Sequence, residues 1–116
     1  MWSLSLLTAR FKLDREDRVV SFHLDGHAGT AVKGENIICA AASAIAQTVI
    51  GSLQDIAQIE PDYQAEDGLI CCRVSYDGDD KDQLIQIASL MGSVRIGCMQ
   101  LEDSYGSHYI TCIDES

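Results

Sequence analysis

The chain has 116 residues, of which 47% are hydrophobic and 22% are charged, and this composition is typical of a globular domain rather than a disordered segment. The formal net charge of −10 argues against nucleic-acid binding, which needs a basic face, and would suit a basic partner. The length predicts a single domain over residues 1–116, large enough to bury a core without disulfides.

The amino-terminal stretch and the cysteines bear on the cellular compartment. The first ten residues lack the basic flank and long apolar core of a secretory signal peptide, so we expect a cytoplasmic protein. The five cysteines are odd in number and form no Cys-x-x-Cys pair, which argues against a disulfide framework and a structural zinc site. We therefore expect no metal and no cofactor. Four cysteines are interpreted as small buried hydrophobic residues: Cys71, Cys72, Cys98 and Cys112.

Two strands are predicted first, over residues 2–10 and 18–25, because apolar and polar side chains alternate there. Residues 11–17 between them are charged and turn-like, so a hairpin is the economical connection. In the second strand, Val20, Phe22 and Leu24 share one face, and His23 lies on the other with Ser21. We interpret His23 as an exposed strand residue.

The first helix is predicted over residues 37–58 and is apolar nearly all round, which is typical of a helix buried on every side. One side is expected to pack on the sheet and the other on a second helix or a second subunit, so we expect a homodimer. The apolar run at residues 37–53 is shorter than the roughly 20 residues of a transmembrane helix and carries polar side chains. We interpret it as a buried helix and not as a membrane span.

The second half of the chain predicts a short edge strand within residues 62–67, a strand over 69–76, and a closing strand over 108–113. A second, amphipathic helix should begin near Asp79 or Asp80 and end near Tyr105-Gly106. The resulting order, β-β-α-(β)-β-α-β, favours a two-layer α+β fold with a mostly antiparallel sheet and two main helices on one face.

The candidate chemistry lies where the loop after the second strand meets the first helix. His27 follows Gly26 in a glycine-punctuated segment that extends to Gly34, and Cys39 comes soon after. If Asn36 is the N-cap, Cys39 is the third helical residue, where unpaired N–H groups and the positive end of the helix dipole favour thiolate. A nearby histidine could accept the thiol proton. The two residues are thus a candidate cysteine nucleophile and general base.

Each of these residues also has a plainer interpretation. Ser43 lies one turn beyond Cys39 on the same face and could donate a hydrogen bond to the thiolate or the substrate, or equally to a carbonyl of its own helix. The N–H groups at the helix start could form an oxyanion site. His27 could instead be a surface group and Cys39 a packing residue. His108 is interpreted as exposed.

The residues around the candidate pair form three short motifs: Gly26-His27-Ala28, the run Gly34-x-Asn36-Ile37-Ile38-Cys39-Ala40-Ala41-x-Ser43, and Gln47-Thr48. They resemble the ribosomal-processing cysteine protease Prp family, also called YsxB-like. The resemblance covers nearly the whole chain in length and element order, and its specificity rests on the block from the histidine to the cysteine.

The resemblance implies a compact α+β homodimer in which His27 and Cys39 form the catalytic pair and Ser43 matches a family serine. It also implies an activity, which is removal of the N-terminal extension of a large-subunit ribosomal protein, number twenty-seven, before or during ribosome assembly. The family usually has aspartate where this chain has Asn36. An asparagine keeps the hydrogen-bond acceptor of that carboxylate without its charge, and it serves equally well if the residue is only a cap.

A second function from a different class stays open. The chain could be a non-catalytic acidic binding module for a basic ribosomal or assembly partner, with Cys39 only packing in the core. A thiol redox sensor is a third interpretation, but the sequence shows no evident resolving cysteine.

Overall fold

A computed structural model describes residues 7–26 and 33–116, and the side chains of the first helix from residue 37 onward. The elements follow the predicted order, including the short edge strand: β1 (Leu7–Leu13), β2 (Val19–Gly26), α1 (Lys33–Asp55), β3 (Asp62–Glu66), β4 (Leu69–Arg73), α2 (Lys81–Tyr105) and β5 (Ile110–Glu115).

The five strands form one sheet in the order β3-β4-β2-β1-β5. The β1–β2, β2–β4 and β3–β4 pairs are antiparallel, whereas β1 and β5 are parallel. The predicted two-layer α+β fold with a mostly antiparallel sheet is therefore confirmed. The parallel pair is possible because α2 crosses back over the sheet before β5 begins.

The first hairpin turns later than predicted. Phe11 was expected in the turn, but it is fully buried and continues the inward alternation of β1. The turn instead forms at Asp14, whose Oδ1 accepts hydrogen bonds from the N–H groups of Glu16 and Arg18, each at 2.9 Å. The predicted strand residues 2–6 lie outside the described part of the chain.

Helix α1 begins at Lys33, four residues before the predicted start, and ends at Asp55 rather than near Gln58. Gly34 and Asn36 favoured a loop in sequence, yet adding a turn to a formed helix costs little compared with starting one. The residue Gln58 has a φ of 57°, which is not helical.

Burial of α1 on every side is not found within a single chain. Ala42, Ala46 and Leu53 are buried against the rest of the molecule. On the opposite side Ile37 is 58% exposed, and Ala40 and Ala44 are exposed as well.

Helix α2 has the boundaries that the sequence predicts. Asp80 is its N-cap, and its Oδ1 accepts a hydrogen bond from the N–H of Gln83 at 3.2 Å, which satisfies one of the unpaired donors of the first turn. Gly106 follows its last residue and donates its N–H to the carbonyl of Glu102. The buried side of α2 faces the sheet and α1: Ile87, Met91, Val94 and Cys98.

The two helices cover one face of the sheet, and the core lies between the helices and the sheet. Its largest fully buried side chains include Phe11, Phe22, Leu53, Met91 and Ile110. On the other face, side chains such as Arg10, His23 and Arg73 are exposed. By length and apolar composition alone, both helices could cross a membrane, but a core helix meets the same criteria, and these helices pack on the sheet.

The contact between the helices predicts opposite responses from two glycines of α2. A Cβ on Gly97 would lie 3.0 Å from Cδ1 of Ile45 in α1, whereas a Cβ on Gly92 would meet nothing within 4 Å. Gly97→Leu should therefore lower the free energy of unfolding by about 1–3 kcal/mol through overpacking, and Gly92→Leu should leave it unchanged or raise it by up to about 1 kcal/mol through helix propensity. Urea denaturation measures both, and equal effects would show that the helices are not in close contact at Gly97.

Candidate active site

A cavity of about 280 Å³ lies between α1, the end of β2 and the β3–β4 turn. Cys39 and Ser43, one helical turn apart on α1, both line this cavity. The prediction that they share one face of the helix is therefore confirmed. Its apolar wall includes Leu7, Leu24 and Ile70. The cavity thus brings a thiol and a hydroxyl together beside an apolar surface.

Cys39 does not lie at the start of the helix. Because α1 begins at Lys33, Asn36 is inside the first turn and is not the N-cap, and Cys39 belongs to the second turn. The N–H groups without a helical partner belong to the first turn, and the dipole effect falls off within it. The predicted stabilisation of a Cys39 thiolate by the helix start is therefore wrong in its stated form.

The other predicted site residues are placed only in part. Gly26 ends β2 and lines the cavity, and Gly34 lies in the first turn of α1. His27 is the next residue after Gly26 and lies outside the described part of the chain, as does the side chain of Asn36. The remaining histidines, His23 and His108, are exposed as predicted.

The β3–β4 turn forms one wall of the cavity, and sequence reasoning missed its contribution. The N–H of Gly26 donates a hydrogen bond to the carbonyl of Gly68 at 3.0 Å. Gly68 has a φ of 84°, and a Cβ there would lie 3.0 Å from the carbonyl oxygen of Gly26, so the turn depends on glycine. Next to it, Glu66 and Asp67 line the cavity. The pair Asp67-Gly68 is typical of a turn, but nothing in the local sequence indicates which strand the turn lies against.

The other cysteines differ from Cys39 in their surroundings. Cys72 and Cys98 are buried, and burial raises the pKa of each thiol to about 12. Cys112 is half-buried, and burial, followed by the nearby Glu102 carboxylate, raises its pKa to about 11. Cys71 is half-buried in β4 on the open face of the sheet. The predicted burial is confirmed for Cys72 and Cys98 and is only partial for the other two.

The described residues do not form a cluster of metal ligands. Within residues 7–26 and 33–116, no cluster of three or more histidine, cysteine, aspartate or glutamate side chains could hold a metal ion. A cysteine thiol and a serine hydroxyl lining one cavity are residue types that covalent catalysis by a thiol-dependent hydrolase uses.

Comparison with known families gives the class a name. The family model described as Cysteine protease Prp matches residues 6–111. The chain therefore belongs to the Prp family of cysteine proteases. No curated protein matches it significantly.

Solved structures share this fold. SMU.848 from Streptococcus mutans aligns with a TM-score of 0.80 and 23% identity over 96% of this chain and 95% of that one. A second structure is that of the essential ribosomal processing protease Prp from S. aureus in complex with a substrate peptide. It aligns with a TM-score of 0.78 and 19% identity over 94% of this chain and 99% of that one. The structure of the same protease with a covalently linked product peptide aligns with a TM-score of 0.77 and 21% identity, with the same coverage of both chains.

The raised pKa values predict an order of thiol reactivity. At about pH 8, only about one thiol in a thousand is ionised when its pKa is near 11, and the fraction rises tenfold per pH unit until the pKa is reached. Cys39 is only half-buried and lines the cavity, so iodoacetamide should alkylate it well before Cys72, Cys98 and Cys112 in the native protein. Mass spectrometry of tryptic peptides over time gives the order, and the urea-unfolded protein, where all thiols are exposed, is the control. Equal and slow labelling of all five would favour a packing role for Cys39.

Proposed function

We propose that this chain is a cytoplasmic cysteine endopeptidase that removes the N-terminal extension of large-subunit ribosomal protein number twenty-seven during ribosome assembly, with residues 1–116 as one domain. The observation that carries the proposal is that Cys39, alone among the five cysteines, lines the cavity that Ser43 also lines. Membership of the Prp family supports the activity. The S. aureus Prp structure, a ribosomal processing protease bound to a substrate peptide, supports the substrate class.

The proposed reaction has two halves. His27 takes the proton from Sγ of Cys39, and the thiolate attacks the scissile carbonyl carbon to form a tetrahedral oxyanion. The oxyanion collapses, the C–N bond breaks, and His27 gives its proton to the leaving amine. Water, deprotonated by His27, then attacks the thioester, and the second peptide fragment leaves as a carboxylic acid while the Cys39 thiol is restored.

The position of Cys39 determines which groups stabilise its thiolate in this scheme. A second-turn cysteine gains little from the helix dipole, so an imidazolium at His27 is the main stabiliser of the thiolate. The Ser43 hydroxyl donates a hydrogen bond to the oxyanion and so stabilises the negative charge that develops in the transition state. Gly26 and Gly34 border the histidine segment, and Asn36 stands in the first turn as a neutral replacement for the family aspartate.

Peptide cleavage tests the nucleophile and the base together. The substrate is a peptide spanning the extended N-terminus of that ribosomal protein from the same genome, with products read by mass spectrometry. Cys39→Ala should abolish cleavage, and His27→Ala should lower kcat/KM by roughly 10²–10⁴-fold, the usual contribution of general acid–base catalysis. Cys71→Ala, which removes a cysteine outside the cavity, should cleave as wild type does.

The outcomes separate the functions. Cleavage by Cys39→Ala at the wild-type rate would refute the assigned nucleophile. Binding of the peptide without cleavage by wild type would favour the non-catalytic binding module. Should wild type cleave slowly, Asn36→Asp shows whether the missing carboxylate limits the reaction, because a faster variant means that charge at this position matters.

We also propose that the enzyme is a homodimer. Three isoleucines on the outer sides of the two helices are more than half exposed, Ile37 at 58%, Ile85 at 63% and Ile96 at 56%. Isolated exposed apolar residues are ordinary, but here they accompany the exposed alanines of α1. A second copy of the chain would remove this surface from water.

Sedimentation equilibrium over a range of protein concentrations tests the dimer. Wild type should have twice the mass of the chain, and Ile96→Glu should shift the equilibrium towards monomer, because a charge would have to be buried in the interface. Ser116→Glu adds the same charge at the exposed end of the chain and should leave the mass unchanged. A monomeric wild type would refute the proposal.

A further inference from the structure

The strand β3 forms one edge of the sheet, and it ends at the candidate active site. Its last residue, Glu66, lines the same cavity as Cys39, and within the described part of the chain β3 pairs with β4 alone. We propose that an extended segment of the substrate peptide adds to this edge as a sixth strand, through main-chain hydrogen bonds. This inference rests on the proposed protease function and names the surface that binds the peptide.

The edge of β3 has the regular form that a further strand needs. All residues of Asp62–Glu66 pair with β4 in one register without a shift, and all are exposed. Proteins usually protect such an edge with a lysine, a proline, a bulge or a covering segment, and β3 itself has none of these. The side chains of Asp62 and Glu66 would repel a second copy of the same strand, which leaves the edge to chains without negative charge.

The opposite edge of the sheet is already occupied in part. The N–H of Cys112 in β5 donates a hydrogen bond to Oε2 of Glu102 in α2 at 3.3 Å, so a side chain of the fold takes up a main-chain donor there. Among the described residues no side chain bonds to the main chain of β3 in this way, and Gln64 and Glu66 bond to each other at 2.6 Å. The fold therefore closes part of one edge and leaves open the edge that ends at the cavity.

Tyr63 offers an added strand a side-chain contact as well. It pairs with Cys72, whose side chain is buried beneath the helices, so the Tyr63 side chain lies on the helix face of the sheet. The side chain is 44% exposed, which means that the helices leave it uncovered. Every second side chain of an added strand would lie on the same face beside the ring.

The course of β3 connects this edge to the nucleophile. The turn that follows β3 is fixed to the end of β2 by the hydrogen bond from the Gly26 N–H to the Gly68 carbonyl, and Gly68 also lines the cavity. A peptide beside β3 leaves the edge at this turn and enters the cavity with its scissile bond. At about 3.3 Å per residue, the distance from Glu66 back to Asp62 is about 13 Å, so the edge holds about five residues on one side of that bond.

Hydrogen exchange locates the bound peptide on the protein. The Cys39→Ala variant, which should bind without cleaving, is mixed with the peptide that spans the ribosomal-protein extension, and exchange is followed by mass spectrometry. At a peptide concentration of about 100 times Kd, the outward-facing β3 amides should exchange up to about 100-fold more slowly, because they are exposed only in the unbound fraction. The amides of β5, at the opposite edge, are the matched control and should not change.

A scan of the peptide main chain tests the hydrogen bonds themselves. Single N-methyl groups are placed in turn on the nitrogens near the cleaved bond, other than its own, which removes each donor without changing any side chain. Only alternate main-chain groups of a strand face one neighbour. The kcat/KM of wild type should therefore fall at every second position on one side of the bond, by roughly 2- to 12-fold for each lost hydrogen bond.

Two tyrosines provide a matched pair of variants. Tyr63→Ala removes the ring beside the edge and should lower kcat/KM by about two- to fivefold, the size of a cross-strand aromatic contact. Tyr105→Ala removes a side chain that is 54% exposed at the end of α2 and should cleave as wild type does. Denaturation in urea checks that both variants fold, and equal rates for the two would refute the contact with Tyr63.

The results separate this inference from the proposed function. If wild type cleaves the parent peptide but N-methylation shows no alternation, or if the peptide does not slow exchange in β3, the edge is not the peptide site and the protease function stands. Slow exchange of all β3 amides before peptide is added would also refute the inference, because the edge would already be covered. If wild type cleaves no peptide, the proposed function fails and takes this inference with it.

Discussion

The pairing of β2 with β4 determines the described shape of the candidate site. These strands are not consecutive in the chain, yet they run side by side in the middle of the sheet. Their contact extends to the hydrogen bond between the Gly26 N–H and the Gly68 carbonyl, which requires a backbone conformation that glycine adopts readily. That contact fixes the β3–β4 turn beside the end of β2, where the turn forms one wall of the cavity that Cys39 also lines.

The electrostatics of this cavity differ from those of a cysteine at a helix start. The effect of the helix dipole falls off within the first turn of α1, and Cys39 lies beyond that turn. A thiolate at Cys39 would therefore need a positive partner other than the helix start, such as an imidazolium.

Small side chains allow the helical layer to sit close to the sheet and leave its outer side apolar. Ala42 and Ala46 are almost fully buried beneath α1, and Gly97 lets α2 approach Ile45 of α1 closely. The same alanine-rich sequence continues around α1, where Ala40 and Ala44 are exposed. A helix that is apolar all round can bury only one side against the rest of a chain this small. The other side stays exposed unless a partner covers it.

Local sequence determined the elements whose signal is periodic or chemical. The alternation of Phe22 and Leu24 identified the buried face of β2, Asp80 marked the start of α2, and four-residue spacing placed Cys39 and Ser43 on one face. The start of α1 was not readable, because Gly34 and Asn36 disfavour helix while cooperative growth of the helix overrides them. Tertiary structure alone decided that β4 lies against β2, that β5 runs parallel to β1, and that Glu66 and Asp67 border the cavity. Strand neighbours are chosen by burial summed over the whole core, and no single segment of sequence encodes that sum.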